Sequence, residues 1–332
     1  MRNDGSDRTG SVRLRMKMHR LCHLRWPAAA LLLGALLSGA ELPVSSSPAT
    51  LTAVDTHAHI FHRGFSPVAG ARYVPNYDAT EAELFQQFAA HRISHGVLVQ
   101  PSFLGTDNSV LLAALRAYPA RLRGIVVVSP AVAKDQLAAL AAAGVVGIRL
   151  NLIGQPLPDF QRAPWPDFID NLKSLRWLVD VQREARDLPK IISPLLAAGL
   201  DVIVDHFGRP DPKLGVDDPG FRYLLTQAAT RRLWVKLSGA YRNGPDGIGD
   251  AIADAAAPML LRAFGPDRLL WGSDWPHTQF EHAEEYADAR AQLDRWIADP
   301  VARRVVLASA PAALFRFDTA VEPLRDTVPL TP

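Results

Sequence analysis

The sequence predicts an α/β protein, a (β/α)8 TIM barrel, and three observations carry that expectation. From residue 51 onward, about eight short apolar runs rich in β-branched residues alternate with Ala/Leu-rich amphipathic stretches, over a length that suits a barrel. The runs are continuously apolar, as strands buried on both faces of a parallel sheet must be. Nearly every run also stops at a polar group: His57 and His59, Ser102, Ser129, Arg149 and Asn151, His206, Lys236 and Ser238, and Asp274. Barrel enzymes place their reacting groups at such strand ends, around one mouth. A doubly wound open sheet is the structural rival. It calls for a Gly-rich phosphate loop after the first strand, where this chain has His57-Ala58-His59, and no GxGxxG or Walker pattern follows any run.

In chain order, strands are predicted at 51–57, 96–100, 124–129, 145–150, 177–181, 201–206, 234–238 and 269–274. The fifth breaks the pattern, because Asp180 interrupts it and no histidine ends it. Helices are predicted at 80–91, 108–118, 131–143, 193–198, 218–229 and 246–264, with Thr106 or Asp107 as the cap of the second. Gly96, Gly144 and Gly199 stand before strands, as after a helix C-terminus. Segments 155–166 and 242–249 read as loops that shape the mouth, and the chain after Arg316 as a surface tail. No second domain is evident. The expected organisation is an N-terminal segment and linker at 1–50, the barrel at 51–318 and a tail at 319–332.

The N-terminal segment differs in chemistry. Arg13, Arg15, Lys17, Arg20 and Arg25 precede an uncharged apolar stretch at 28–40 that ends in Ser38-Gly39-Ala40. The stretch is shorter than the ~20 residues a membrane span takes, and its layout is that of a secretory signal. The expectation is a periplasmic or secreted protein with no stable span after cleavage, or a cytoplasmic one if the segment is no signal; a start at Met16 or Met18 would give a signal of ordinary length. With the net charge only +2 and the basic residues gathered in that segment, the rest of the chain offers no footprint for nucleic acid. Cys22 is the sole cysteine, so neither an internal disulfide nor a cysteine metal cluster can form.

His57 and His59 are two apart, so on an extended strand they face the same way. Two imidazoles with the Asp274 carboxylate can hold a metal, or they can hold a carbonyl and a water. Each candidate also has a plain structural alternative. Either histidine could be a hydrogen-bonded strand-end residue, and Asp274 could cap a following helix. His206, in Asp205-His206-Phe207-Gly208-Arg209-Pro210, could be a buried histidine bonded to a carbonyl. Arg149, at the end of an apolar strand, needs an anion, from the protein or from a substrate. Arg242 is either a second anion clamp or a solvated surface residue. No G-x-S-x-G elbow is present, which argues against a serine nucleophile.

Together these pieces resemble the amidohydrolase superfamily, in its branch of 2-pyrone-4,6-dicarboxylate lactonases and related sugar lactonases. The matching stretches are VDTHAHIF, ARYVP with Tyr73, GVLVQPSFLGTDNSVLL, GIRLN, VIVDHFGRP, WVKLSGAYR and LLWGSDWPH, in the expected order from Val54 to Phe315. The resemblance implies a metal-dependent-hydrolase-like barrel with its site at the strand C-terminal ends. It implies His57, His59, His206 and Asp274 as the catalytic cluster, and Arg149, Tyr73, Ser102 and Arg242 as substrate contacts. Two departures matter. Metal-dependent members carry a ligand histidine at the end of the fifth strand, where this chain has Gln182. The dicarboxylate lactonases carry a second arginine after the one at Arg149, where this chain has Gln155.

Three functions follow as expectations. The first is metal-independent hydrolysis of the C–O bond of a carboxylated lactone or related organic acid ester. In it Asp274 activates water and the histidines polarise the carbonyl, with no cofactor. The second is a Zn2+-dependent hydrolase or decarboxylase with the metal on His57, His59 and Asp274. The third is an exported barrel that binds an organic acid without turning it over.

Overall fold

The structure is a computed structural model, and it describes residues 50–318. The expected export signal and the 319–332 tail lie outside the described residues.

Eight strands form one sheet: β1 (Val54–Ala58), β2 (His95–Val99), β3 (Leu122–Val126), β4 (Val145–Asn151), β5 (Leu178–Gln182), β6 (Asp201–Val204), β7 (Leu233–Leu237) and β8 (Leu269–Trp271). Each pairs in parallel with the next, in chain order. β8 returns to β1 just beyond its own end. The Asp274 N–H donates to the His57 carbonyl at 2.7 Å, and the His59 N–H donates to the Trp275 carbonyl at 2.8 Å. The buried Asp55 reinforces this seam. Its Oδ1 accepts the Ser273 N–H at 2.9 Å, and its Oδ2 accepts the Ser273 hydroxyl at 2.5 Å and the Tyr286 hydroxyl at 3.0 Å. Burial pushes the Asp55 carboxyl up to about 6 even against those hydrogen bonds. Gly272 lets the strands meet: a Cβ there would lie 2.5 Å from the His57 Cβ.

The barrel interior is filled from every strand: Val54, Val97 and Val99, Ile125, Val146, Leu178, Ile203, Trp234 and Leu270 are buried together with Leu51 and Phe315. Phe317 belongs to the same cluster, which corrects the expectation that the chain leaves the barrel as a surface tail directly after Arg316. Its ring packs on His95 at 5.0 Å.

Ten α-helices accompany the strands: α1 (Glu81–His91), α2 (Ser109–Ala117), α3 (Lys134–Ala142), α4 (Trp165–Ser174), α5 (Leu188–Ala197), α6 (Pro219–Thr226), α7 (Ile248–Phe264), α8 (Tyr286–Trp296), α9 (Pro300–Arg304) and α10 (Ala310–Leu314) among the described residues. Thr80 and Glu83 form a reciprocal capping box on α1. Ahead of α2, Asp107 Oδ1 accepts the Ser109 N–H at 3.1 Å.

Three helical expectations are corrected. α4 was not expected, because Pro166 and its polar flanks resemble a loop; it buries Phe168, Ile169 and Leu172 on one face. α8 was also missed, because charged residues and alanines separate Tyr286, Ala289, Leu293 and Trp296, the only buried stripe it has. α5 begins at Leu188, ahead of the predicted 193, and carries Pro194 inside it. No described helix is long and apolar enough to cross a membrane.

Candidate active site

The strand C-terminal ends bring His57, His59, His206 and Asp274 together. The ring centroids of His57 and His59 lie 4.9 Å apart, and those of His57 and His206 5.0 Å apart. Asp274 Oδ1 lies 3.7 Å from His57 Nε2 and 3.6 Å from His59 Nε2. All four residues are buried. A regular β1 would alternate its side chains; its register shifts between Asp55 and Ala58, which bends the strand where the histidines leave it.

Asp274 has φ +62°, a left-handed conformation that a non-glycine residue adopts at a cost. No helix follows for it to cap; its backbone serves the closing hydrogen bond and its side chain turns inward. One carboxylate oxygen is neutralised: Oδ2 takes the Arg242 Nε and, at 2.7 Å, the Tyr241 hydroxyl. The other oxygen, Oδ1, has no protein hydrogen bond and faces the histidines. Burial alone would raise this carboxyl, but Arg242 and the histidines hold it well below the usual range. Gly239, at φ +53°, passes so close that a Cβ would meet Asp274 Oδ2 at 2.8 Å and His206 Nδ1 at 2.9 Å.

Burial disfavours the protonated form of each histidine. It lowers His59, takes His57 well below its ordinary value, and pushes His206 down to about 3. A neutral imidazole is a donor at one nitrogen and an acceptor at the other, so hydrogen-bond partners decide what each can do. His59 Nδ1 faces the Val99 carbonyl at 2.6 Å and must donate, which leaves a lone pair on Nε2. His57 Nδ1 faces Lys236 Nζ at 3.0 Å. His206 Nδ1 shares a hydrogen bond with the Ser238 hydroxyl at 2.9 Å, and its Nε2 has no protein partner.

A polar cavity of about 140 Å³ lies over Asp274, lined by His59, Arg72, Tyr73, Arg149, Asn151, Gln182, Arg209 and Arg242 among others. A larger neighbour of about 340 Å³ shares Arg209 and Arg242 but holds neither Asp274 nor a histidine, so volume does not locate the chemistry. Of the expected substrate contacts, Tyr73, Arg149 and Arg242 line the polar cavity. Ser102 does not line it, and sits behind Arg72, whose Nη2 is 3.5 Å from the Ser102 hydroxyl. Arg242 is not a solvated surface residue: its side chain is 9% exposed and paired with Asp274. Arg149 is held from within the barrel by the Gln100 carbonyl at 2.8 Å, Gln182 Oε1 at 2.7 Å and Asp205 Oδ2 at 3.7 Å.

Four further residues at the site carry no individual role in the sequence reading. Arg72 and Arg209 line the cavity and form no salt bridge among the described residues. Burial, then the nearby Arg242, lowers Arg209 to about 10, which leaves it charged. Tyr241 bridges Asp274 and His277 Nδ1, the latter at 3.2 Å. Lys236 stands between two carboxylates, Asp180 and, at 3.1 Å, Asp205. The available signal was the isolated charge: Asp180 and Lys236 each stand alone in an apolar strand, and a buried charge requires a partner.

Two sets of side chains offer metal-ligating atoms in one place: His57, His59 and Asp274, and His57, Asp205 and His206. In the first set His59 and Asp274 present free acceptors. His57 joins them only if its Nε2 carries no proton.

The amidohydrolase family model matches residues 54–317. A 2-pyrone-4,6-dicarboxylate hydrolase from Comamonas testosteroni is 32% identical over 235 residues, covering 68% of this chain and 77% of its own. A 4-sulfomuconolactone hydrolase from Hydrogenophaga intermedia is 29% identical over 269 residues, covering 79% of this chain and 88% of its own. The crystal structure of a probable 2-pyrone-4,6-dicarboxylic acid hydrolase from Acinetobacter baumannii, with citric acid bound, superposes with a TM-score of 0.78 at 38% identity, over 80% of this chain and 100% of that one. With one model spanning almost the whole described barrel, and relatives aligned along most of it, this chain belongs to the amidohydrolase family.

Proposed function

We propose that the chain is a lactonase that hydrolyses the C–O ester bond of a lactone carrying anionic groups, and that it does so without a metal. The observation that carries the reading is the divided Asp274 carboxylate, with one oxygen locked by Arg242 and Tyr241 and the other free beside two histidine nitrogens. The two aligned relatives are hydrolases of lactones bearing carboxylate or sulfonate, and the solved relative holds a tricarboxylic acid.

In this reading one water donates to Asp274 Oδ1 and to the lone pair of His59 Nε2. Asp274 removes a proton as the water oxygen bonds to the lactone carbonyl carbon. The oxyanion is met by N–H groups of His57 and His206. The tetrahedral centre then collapses, the ring C–O bond breaks, and the proton on Asp274 passes to the leaving oxygen. Arg242 keeps Asp274 ionised but also makes it a weak base, so the rate leans on polarisation of the carbonyl. One preorganised donor is worth about 3–4 kcal/mol where measured. Arg72 and Arg209, unpaired with any carboxylate among the described residues, bind the substrate anions together with Arg149 and Tyr73. They take over from the arginine that Gln155 replaces.

The test is hydrolysis of a panel of carboxylated and sulfonated lactones followed with a pH indicator, with and without chelator. Acid release unaffected by chelator supports the proposal, and tight binding with no acid release refutes it. A zinc-dependent reading is favoured by the ligating atoms of His57, His59 and Asp274; stoichiometric zinc whose removal abolishes turnover would establish it instead. Export of the barrel is part of the proposal, and N-terminal sequencing of the mature protein checks it: a chain still beginning at Met1 refutes export.

A further inference from the structure

We propose that Lys236 is a positioning residue that fixes the single proton of His57 on Nε2, making that histidine a hydrogen-bond donor into the site and denying it to a metal. His57 and Lys236 are both fully buried. An ammonium has three donors and no acceptor, so any group bonded to it must accept. Lys236 Nζ meets the Asp180 carboxylate, Asp205 Oδ1 at 3.1 Å and His57 Nδ1 at 3.0 Å. Asp180 and His57 each face one of its protons in a hydrogen bond, and Asp205 balances its charge as an ion pair. Asp205 Oδ1 also lies 3.2 Å from His57 Nδ1, but neither Asp205 oxygen is placed to accept a hydrogen bond. His57 Nδ1 therefore accepts from Lys236, and a neutral ring then carries its hydrogen on Nε2. That nitrogen has no protein hydrogen-bond partner and points to the same space as Asp274 Oδ1.

The two histidines of the His-x-His pair thus hold opposite tautomers, one over a cation and the other over the Val99 carbonyl. The difference bears on metal binding. A ligating histidine normally passes its second N–H to a carbonyl or carboxylate, which orients it and raises its basicity. His59 fits that pattern and His57 does not. A metal on His57 would have to displace the Nε2 proton and tolerate the Lys236 charge across the ring. Only His59 Nε2 and Asp274 Oδ1 then remain of the set, fewer than the three protein ligands of catalytic zinc sites. The value of the Nε2–H for carbonyl polarisation rests on the lactonase reading. The proton's position does not.

The experiment is long-range proton–nitrogen correlation spectroscopy on the intact protein with 15N-labelled histidine, with His57→Gln and His59→Gln used only to assign signals. The expected result is an unprotonated Nδ1 and protonated Nε2 for His57, and the reverse for His59. A proton on His57 Nδ1 overturns the proposal whether or not any lactone is turned over. Lys236→Met gives the second readout: zinc affinity, by equilibrium dialysis against the metal alone, is expected to rise at least about ten-fold, the scale of effects from such supporting groups. Equal affinity in a folded variant overturns the metal-denying role, and if the variant does not fold, the wild-type spectrum decides.

Discussion

The backbone N–H of Asp274 donates to the carbonyl of His57 at 2.7 Å, so the hydrogen bond that closes the barrel also sets the site. The two residues are far apart in sequence. The bond fixes their separation without using either side chain, leaving both free to act. Asp274 reaches this position only in a left-handed conformation, and Gly272 beside it must lack a side chain.

Asp274→Asn keeps the backbone bond but removes the ionised oxygen. The fold should survive by circular dichroism, while turnover falls by about 10²–10⁴-fold, the usual contribution of a positioned base. Turnover equal to wild type would take Asp274 out of the mechanism.

Gly272→Ala tests closure. The added Cβ would lie 2.5 Å from the His57 Cβ and 2.9 Å from the His57 nitrogen, so the seam must open. Urea unfolding should show a loss of about 1–3 kcal/mol, typical of overpacking, together with reduced activity. Unchanged stability would mean that β1 and β8 yield there freely.

Arg209→Met and Arg72→Met test anion recognition. Loss of a charged hydrogen bond, worth about 1.5–3 kcal/mol, corresponds to a rise in KM of roughly 10–150-fold on a dianionic lactone. The effect should shrink on a lactone with one anionic group. A uniform loss of kcat with KM unmoved would assign these arginines elsewhere.

The pH dependence follows from the direction of each shift. Asp274 gives up its proton well below the usual carboxylate range, and burial takes His57 well below its ordinary value, lowers His59 and pushes His206 down to about 3. Asp274 and His206 therefore keep their charge state between about pH 5 and 8, where an unperturbed histidine would titrate, while His57 and His59 are shifted to the acid side of the ordinary value. The kcat/KM profile should carry no acid limb at the ordinary histidine value of about 6.5. The same sign applies to stability: the Asp274 pairing contributes fully above the unfolded-state carboxylate value and is lost as pH falls through the depressed folded value. An inflection near pH 6.5 that disappears in His57→Gln would show a charged histidine at work.

Much of this was legible in the chain. Continuous apolar runs identify strands buried on both faces, and their order gives the eight-stranded sheet. The spacing of His57 and His59 marks one strand end, and the Gly-Ser-Asp-Trp-Pro run marks another. α8 was hidden because Asp288, Arg290, Asp294 and Arg295 break up its narrow buried stripe, and α4 because a proline near its start resembles a loop. Ser102 was expected against substrate, but the chain turns after β2 and Arg72 takes the lining position.

The sequence by itself determined which groups are available, since composition and periodicity decide which side chains a barrel must turn inward. Only the tertiary structure decided their chemical state. Whether Arg242 meets water or Asp274, whether His57 rests on a carbonyl or an ammonium, and which arginines lack a partner all depend on contacts between strands distant in sequence. Hydrogen bonds and desolvation act over a few ångströms of space, and linear order carries no record of those distances until the barrel closes.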